Sequence, residues 1–238
     1  MPRPEPADPA GLETLERLAS VASQYNRWMY ERLARWLGQR VLEIGAGIGT
    51  MSAFLADHER VVLTDPDVGY VTKLRERFRG RTNVAIRSLT LPDVDGQLTS
   101  ERLDTVVCLN VLEHVRDDQN SLDAIKRVLV PGGRLVLLVP ALPAIYGTLD
   151  AELGHVRRYT ARELRQKYAA AGFRLVYLEY FNLAGIFGWW LVGNVLRRRL
   201  IPTGALAVYD WLVPLFRLER FIPWRLGQSL IAIGEKPA

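Results

Sequence analysis

Apolar residues along the chain alternate between two kinds of pattern. Over residues 12–37 they recur at helical spacing (Leu12, Leu15, Leu18, Ala22, Tyr25, Met29, Leu33, Leu37), and Gly38 supplies a stop, so one or two helices precede the first strand. Short, nearly continuous apolar runs follow at 40–44, 61–64, 84–87, 105–109 and 134–139, each of strand length. Between them lie amphipathic stretches. One covers 51–57, one turns Val68, Val71, Leu74 and Phe78 inward and stops at Gly80, and one turns Leu122, Ile125, Val128 and Leu129 inward. Strands without polar alternation are buried on both faces, so the pattern predicts a doubly wound α/β fold with a mainly parallel sheet. Thr160 and Glu163 fit a capping box that opens a helix through Leu164 and Tyr168 to Gly172. Strands are then expected at 174–179 and 229–234.

The rhythm breaks between those last two strands. Residues 180–196 carry no charge and end against Arg197, Arg198 and Arg199; residues 205–216 are again largely apolar. The first run falls short of the ~20 residues a spanning helix needs, and Gly185, Gly188 and Gly193 weaken it further. It reads as an insertion, and it supplies Phe181, Phe187, Trp189, Trp190, Trp211, Phe216, Phe221 and Trp224, more aromatic surface than a sheet edge needs.

With 238 residues, 49% of them hydrophobic, the chain can bury one sizeable core. The expected organisation is a single domain over 1–238: a disordered tail at 1–11 with Pro2, Pro4, Pro6 and Pro9, a helical cap at 12–38, and an apolar insertion or lid at 180–227. The start lacks the basic and apolar regions of a signal peptide, and the single cysteine, Cys108, excludes an intrachain disulfide. Both suit a cytoplasmic protein, membrane-peripheral if the insertion meets lipid. The net charge of +5 comes from scattered arginines, whereas a nucleic-acid partner requires a concentrated basic patch, so none is expected.

The candidate chemistry centres on residues 41–50, Val-Leu-Glu-Ile-Gly-Ala-Gly-Ile-Gly-Thr. Alternate glycines after a strand let backbone approach a ligand closely, as in a cofactor cradle. A nicotinamide-binding turn needs a third glycine where this chain has Thr50. An acid, Asp65, ends the second strand, where it can accept from both hydroxyls of a ribose. Leu109-Asn-Val-Leu-Glu-His114 follows the fourth strand, and Pro131-Gly132-Gly133 precedes the fifth.

As a set, these motifs resemble those of the class I S-adenosylmethionine-dependent methyltransferases, in particular the small-molecule and quinone-modifying branch. The resemblance covers about residues 40–139. It implies a Rossmann-like sheet of seven strands, with S-adenosylmethionine as cofactor and S-adenosylhomocysteine as product. It implies that Glu43, Gly45, Ala46 and Gly47 hold the methionine part, with Gly49 completing the turn. Asp65 would hold the ribose, and the adenine would lie between Pro66 and the loop of Ser88 and Leu89. Many relatives carry an Asp in that loop, so this chain departs from the pattern there. Asn110 would face the sulfonium. Tyr25 and Trp28 would cover the cofactor from the first helix, unless they pack in the core.

Methyl transfer is an in-line displacement that needs alignment and, for a hydroxyl acceptor, a base. Of the three histidines, His58 reads as surface, while His114 and His155 follow strands at the carboxyl edge, where ligands bind in such folds. His155 is the candidate general base or acceptor anchor and His114 the second candidate; Tyr146, Asp150 and Tyr159 are candidate pocket residues. No acids or His/Cys stand at metal-ligand spacing, so no metal is expected.

The fourth strand lacks the Asn/Asp-Pro-Pro-Tyr/Phe of exocyclic-amine methylators. With the aromatic insertion, this favours a small apolar acceptor such as an isoprenoid, quinone, lipid or natural product. The insertion itself suits a lid over that acceptor, a helix resting on anionic lipid, or a contact with a second copy in a homodimer. Two other readings use the same residues: a membrane-associated protein using the cofactor for a non-methylating reaction such as cyclisation, and one that binds the cofactor only structurally.

Overall fold

The computed structural model describes residues 21–94, 98–221 and 225–238. The expected tail at 1–11, the apolar positions Leu12, Leu15 and Leu18, and Trp224 lie outside the described residues. Helix α1 (Ser23–Leu33) runs through a 3-10 turn (Ala34–Trp36) into β1 (Arg40–Ile44). Then come α2 (Ser52–Leu55), β2 (Arg60–Thr64), α3 (Val68–Arg77), β3 (Val84–Arg87), β4 (Leu103–Leu109), α4 (Asp118–Val128), β5 (Leu129–Pro140) and α5 (Thr148–Glu152). The chain finishes with α6 (Ala161–Ala170), β6 (Arg174–Phe181), α7 (Leu183–Trp190), α8 (Thr203–Phe216) and β7 (Ser229–Glu235).

The seven strands form one sheet in the order β3-β2-β1-β4-β5-β7-β6. The first five are parallel, and β7 runs antiparallel between β5 and β6. Side chains alternate along each strand, so two cores form. Leu42, Val62, Val106 and Leu137 face α4 and α6 through Leu122, Ile125, Leu164 and Tyr168. Val41, Val61, Val107 and Val136 face the other way, onto Met29 and Leu33 of α1, Leu74 of α3 and Val213 of α8. Continuous apolar strands are the consequence of this two-sided burial.

Most element boundaries follow the sequence pattern. Thr160 Oγ1 accepts from the Glu163 amide at 3.1 Å, which is the helix-opening bond expected there. The fifth strand starts earlier than expected, at Leu129. Leu129 pairs with Leu103, and the ladder then jumps to Thr105 with Arg134, so the Pro131-Gly132-Gly133 turn is an irregularity within a strand and not its preface. The insertion is a helical pair: α7, prolonged by a π-helical turn (Leu191–Val195), and α8.

β1, β4 and β5 are the central neighbours, so the segments after them converge at one end of the sheet. That crevice, outside the carboxyl ends of the strands where the order reverses, is where doubly wound sheets bind ligands.

Candidate active site

The turn after β1 is built for close approach. Gly45, Gly47 and Gly49 all have positive φ, at 72°, 53° and 83°. A Cβ on Gly45 would sit 2.3 Å from Val111 Cγ2, so the turn packs directly on the loop after β4; a Cβ on Gly47 would meet open space. The amides of Gly45 and Ala46 both donate to the Thr64 carbonyl at 2.9 Å, and the Gly47 amide donates to Asp65 Oδ2 at 2.9 Å.

The amides of Gly45, Ala46 and Gly47 are thus used internally. What surrounds the turn is acidic. Glu43 is buried at the end of β1, accepts from the Ser52 hydroxyl, and is pushed up to about 7 by burial, against the lowering effect of that bond. Burial also raises Asp65, whose other oxygen accepts from the Asp67 amide at 2.9 Å. Two buried acids beside a bare glycine fit a cationic ligand with a ribose, which is the chemistry of S-adenosylmethionine, better than a pyrophosphate.

A second cluster lies at the same end of the sheet. Asp150, at the third position of α5, is fully buried and accepts four bonds. His155 Nδ1 at 2.8 Å and Arg158 Nε at 2.7 Å donate to its Oδ1; the Gly147 amide and Trp189 Nε1, both at 3.0 Å, donate to its Oδ2. Burial pushes this carboxyl up, but the His155 bond, the Arg158 charge and the Trp189 bond together outweigh it and hold Asp150 below the usual range. An ionised Asp150 fixes the proton on His155 Nδ1 and leaves Nε2 as the basic nitrogen. His155 Nε2 lies 3.8 Å from Glu113, whose two buried oxygens have no hydrogen-bond partner among the described residues. Burial pushes Glu113 up to about 8. The His114 ring crosses that of His155 edge-on with centroids 4.9 Å apart, and its own basicity is lowered by desolvation and then by His155. Arg158 Nη1 donates to the Ala141 carbonyl at 2.7 Å and its guanidinium lies 4.9 Å from the Trp189 ring.

The structure thus gathers His155, Asp150 and His114 into one cluster, with Tyr146 at its rim donating its hydroxyl to the His155 carbonyl at 2.7 Å. It separates others from it. Tyr159 packs within the core: its ring is fully buried, and its hydroxyl donates to Asp118 Oδ2 at 2.9 Å, which ties the loop after β5 to α4. Leu89 is buried in the apolar core, while Pro66 and Ser88 stay exposed. A Cβ on Gly49 would sit 2.9 Å from Leu74 Cδ2, so this position also lets α3 pack closely on the turn. Trp28 is buried against Phe181, with ring centroids 4.4 Å apart, and Tyr25 packs on both, which places this pair in the core. The Ala46 side chain also points into the core. Asn110 is exposed at the end of β4, with φ 52°.

The sequence shows no metal-ligand spacing, but the fold brings together one set that could hold an ion. Glu113, His114 and His155 each offer a ligand atom, and these atoms lie within 4.8 Å of one another. Spacing along the chain could not reveal this, because the β4 and β5 loops meet only through the sheet. Arg158, Trp189 and the orphaned Glu113 are the members of the cluster that motif reading left without a role. An acid, a histidine and an arginine within nine residues of one another after β5 were the available signal.

The fold and the turn define a class I S-adenosylmethionine-dependent methyltransferase. The methyltransferase-domain family matches residues 42–135. A Mycolicibacterium smegmatis protein named as a probable S-adenosylmethionine-dependent methyltransferase is 32% identical over 195 residues, covering 77% of this chain and 74% of that one. The ubiquinone biosynthesis O-methyltransferase of Pseudomonas syringae is 34% identical over 112 residues, 45% of this chain; the match spans about half of that enzyme, 47%. The crystal structure of an S-adenosylmethionine-dependent methyltransferase from Mesorhizobium loti shares the fold at TM-score 0.62 and 15% identity, covering 88% of this chain and 98% of that one. The chain belongs to the S-adenosylmethionine-dependent methyltransferases and is an enzyme of that activity.

Proposed function

We propose that this methyltransferase acts on a hydroxyl group of a small, apolar acceptor, with His155 Nε2 as general base. The observation that carries this reading is the Asp150–His155 pair at 2.8 Å, an oriented imidazole at the ligand-binding edge of the sheet. S-adenosylmethionine supplies the methyl group on a sulfonium, which leaves as a neutral thioether. Glu43, Asp65 and the bare backbone at Gly47 would hold it, and Asn110 would face its reacting end. His155 takes the acceptor proton at Nε2, and Asp150 stabilises the imidazolium that results. Trp189 forms an apolar wall beside His155, the two rings parallel with centroids 6.4 Å apart, which supports an apolar acceptor. The ubiquinone O-methyltransferases among the relatives support the same acceptor class. Synthesis of a methyl ether from a panel of prenylated phenols, read by mass spectrometry, tests the reading; a product methylated on carbon or nitrogen alone overturns it.

A second reading rests on the convergence of Glu113, His114 and His155, which can hold a divalent cation that would polarise the acceptor oxygen. Under the base reading, dialysis against a chelator leaves turnover unchanged. Turnover that falls away and returns with magnesium or manganese favours the cation.

Glu43 provides a separate check on the cofactor assignment. Its folded pKa of about 7 lies above the ordinary value of 4.5, so folding takes up a proton, and this contribution to stability is lost as pH rises from about 4.5 through 7. A cation bound beside Glu43 favours the carboxylate and expels that proton. Affinity for S-adenosylhomocysteine, which keeps the ammonium group, should therefore rise several-fold, up to about tenfold, between pH 6 and 7.5. Calorimetry in two buffers of different ionisation enthalpy should detect proton release at pH 6, and Glu43→Gln should abolish it.

A further inference from the structure

Helix α8 is polarised in reverse for a helix facing water. Its outward positions Val208, Trp211 and Leu215, continued by Leu218, recur at helical spacing and are each more than half exposed, Trp211 at 74%. Its one charged residue, Asp210, faces inward and accepts from the backbone amides of Gln24 and Tyr25, capping the start of α1. Helix α7 repeats the arrangement. Phe187 and Trp190 point outward, while Trp189 between them turns in to Asp150. A surface helix ordinarily shows water its polar face, so apolar faces of this kind are matched to an apolar medium.

The surrounding charge identifies the medium. Across residues 183–221 the acids are Asp210 and Glu219, and both are turned to backbone amides, Glu219 to those of Asn182 and Leu183. Arg197, Arg198 and Arg199 stand exposed before α8; Arg220 and Arg225 stand exposed after it. Pairing this face with a second copy about a two-fold axis would bring two arginine sets together with no outward acid from the insertion between them. An anionic bilayer neutralises the arginines and accepts the aromatic face in its headgroup and acyl boundary. Among the described residues no helix is long and apolar enough to cross a membrane, so contact is with one leaflet.

We propose that α7 and α8 form a docking surface for anionic lipid bilayers. The proposal is independent of the acceptor, although Trp189 links this surface directly to the Asp150–His155 pair.

Sedimentation of the full chain with vesicles of phosphatidylglycerol and phosphatidylcholine in equal parts, and with phosphatidylcholine alone, tests it. Binding is expected to the anionic vesicles only and to weaken with salt. Trp211→Glu, and separately the triple variant Arg197→Gln, Arg198→Gln, Arg199→Gln, should each lower the partition about tenfold or more. Affinity for S-adenosylhomocysteine, measured by calorimetry, should stay unchanged and so report intact folding; Leu218→Glu provides a second exposed position with the same expected loss. Wild-type protein that remains in the supernatant with anionic vesicles overturns the proposal, as do variants that bind like wild type. A dimer in analytical ultracentrifugation that Trp211→Glu dissolves, without vesicle binding, assigns the face to a second copy instead.

Discussion

Replacing His155 with alanine should lower the maximal turnover by about 10²- to 10⁴-fold, the contribution of a positioned general base, while affinity for S-adenosylhomocysteine changes little. The separation of the two readouts follows from the fold. The acidic turn after β1 and the Asp150 cluster belong to different segments, and Glu43, Asp65 and Gly47 make none of their hydrogen bonds to His155. Folding should survive, because Asp150 keeps Arg158, Trp189 and the Gly147 amide when the imidazole is removed. Single-turnover rates on a hydroxyl acceptor measure the chemical step, and calorimetry measures the cofactor. Turnover near wild type would remove His155 from the base role; a parallel loss of cofactor affinity would show that the imidazole supports the turn instead. The acceptor's own pKa sets the size of the effect. A phenol already ionised at the assay pH needs no base, so the loss should shrink as the acceptor becomes more acidic or the pH rises.

What could be read in the chain beforehand follows from the range over which each feature acts. The strands, the glycine turn and Asp65 were legible because each depends on neighbours in sequence: an apolar run, a positive φ, an acid at a strand end. Tyr159 was not. It lies in a polar stretch, Arg157-Arg158-Tyr159-Thr160, yet bridging between Ala141 and Tyr159 draws it against the sheet, and Asp118 from a distant helix takes its hydroxyl. The packing at Gly49 was not legible for a related reason. The glycine's lack of a side chain accommodates Leu74 and Phe78 of a later helix, which a motif of alternate glycines cannot distinguish from room for a ligand. The cation-binding potential of Glu113, His114 and His155 was hidden because β4 and β5 pair in parallel, and only that pairing brings their following loops together. Asp210 was invisible as a cap, since its partners lie at the other end of the chain.

Asp150→Asn should be the most destabilising single change in the site, by about 3 kcal/mol or more. The Arg158 guanidinium and the Asp150 carboxylate are fully buried and lie 2.7 Å apart, so neutralising the acid leaves a cation in low dielectric without the carboxylate it pairs with. An asparagine also presents an amide group to donors, so the Trp189 indole or the His155 imidazole loses its acceptor. For a chain of this size such a loss lowers the melting temperature by roughly 6–12 °C. The sign of the pH dependence is fixed by the folded pKa of Asp150, which lies below its ordinary value of 3.8. Its stabilisation is therefore present above the unfolded pKa and is lost as pH falls through the folded value; the variant should lack that part of the acid-induced drop. Removing both charges separates stability from catalysis. Asp150→Asn combined with Arg158→Met eliminates the unpaired cation and should recover much of the melting temperature. Turnover should stay low in the double variant, because nothing then fixes the proton on His155 Nδ1 or stabilises the imidazolium. Recovery of both together would mean that Asp150 acts through the fold alone.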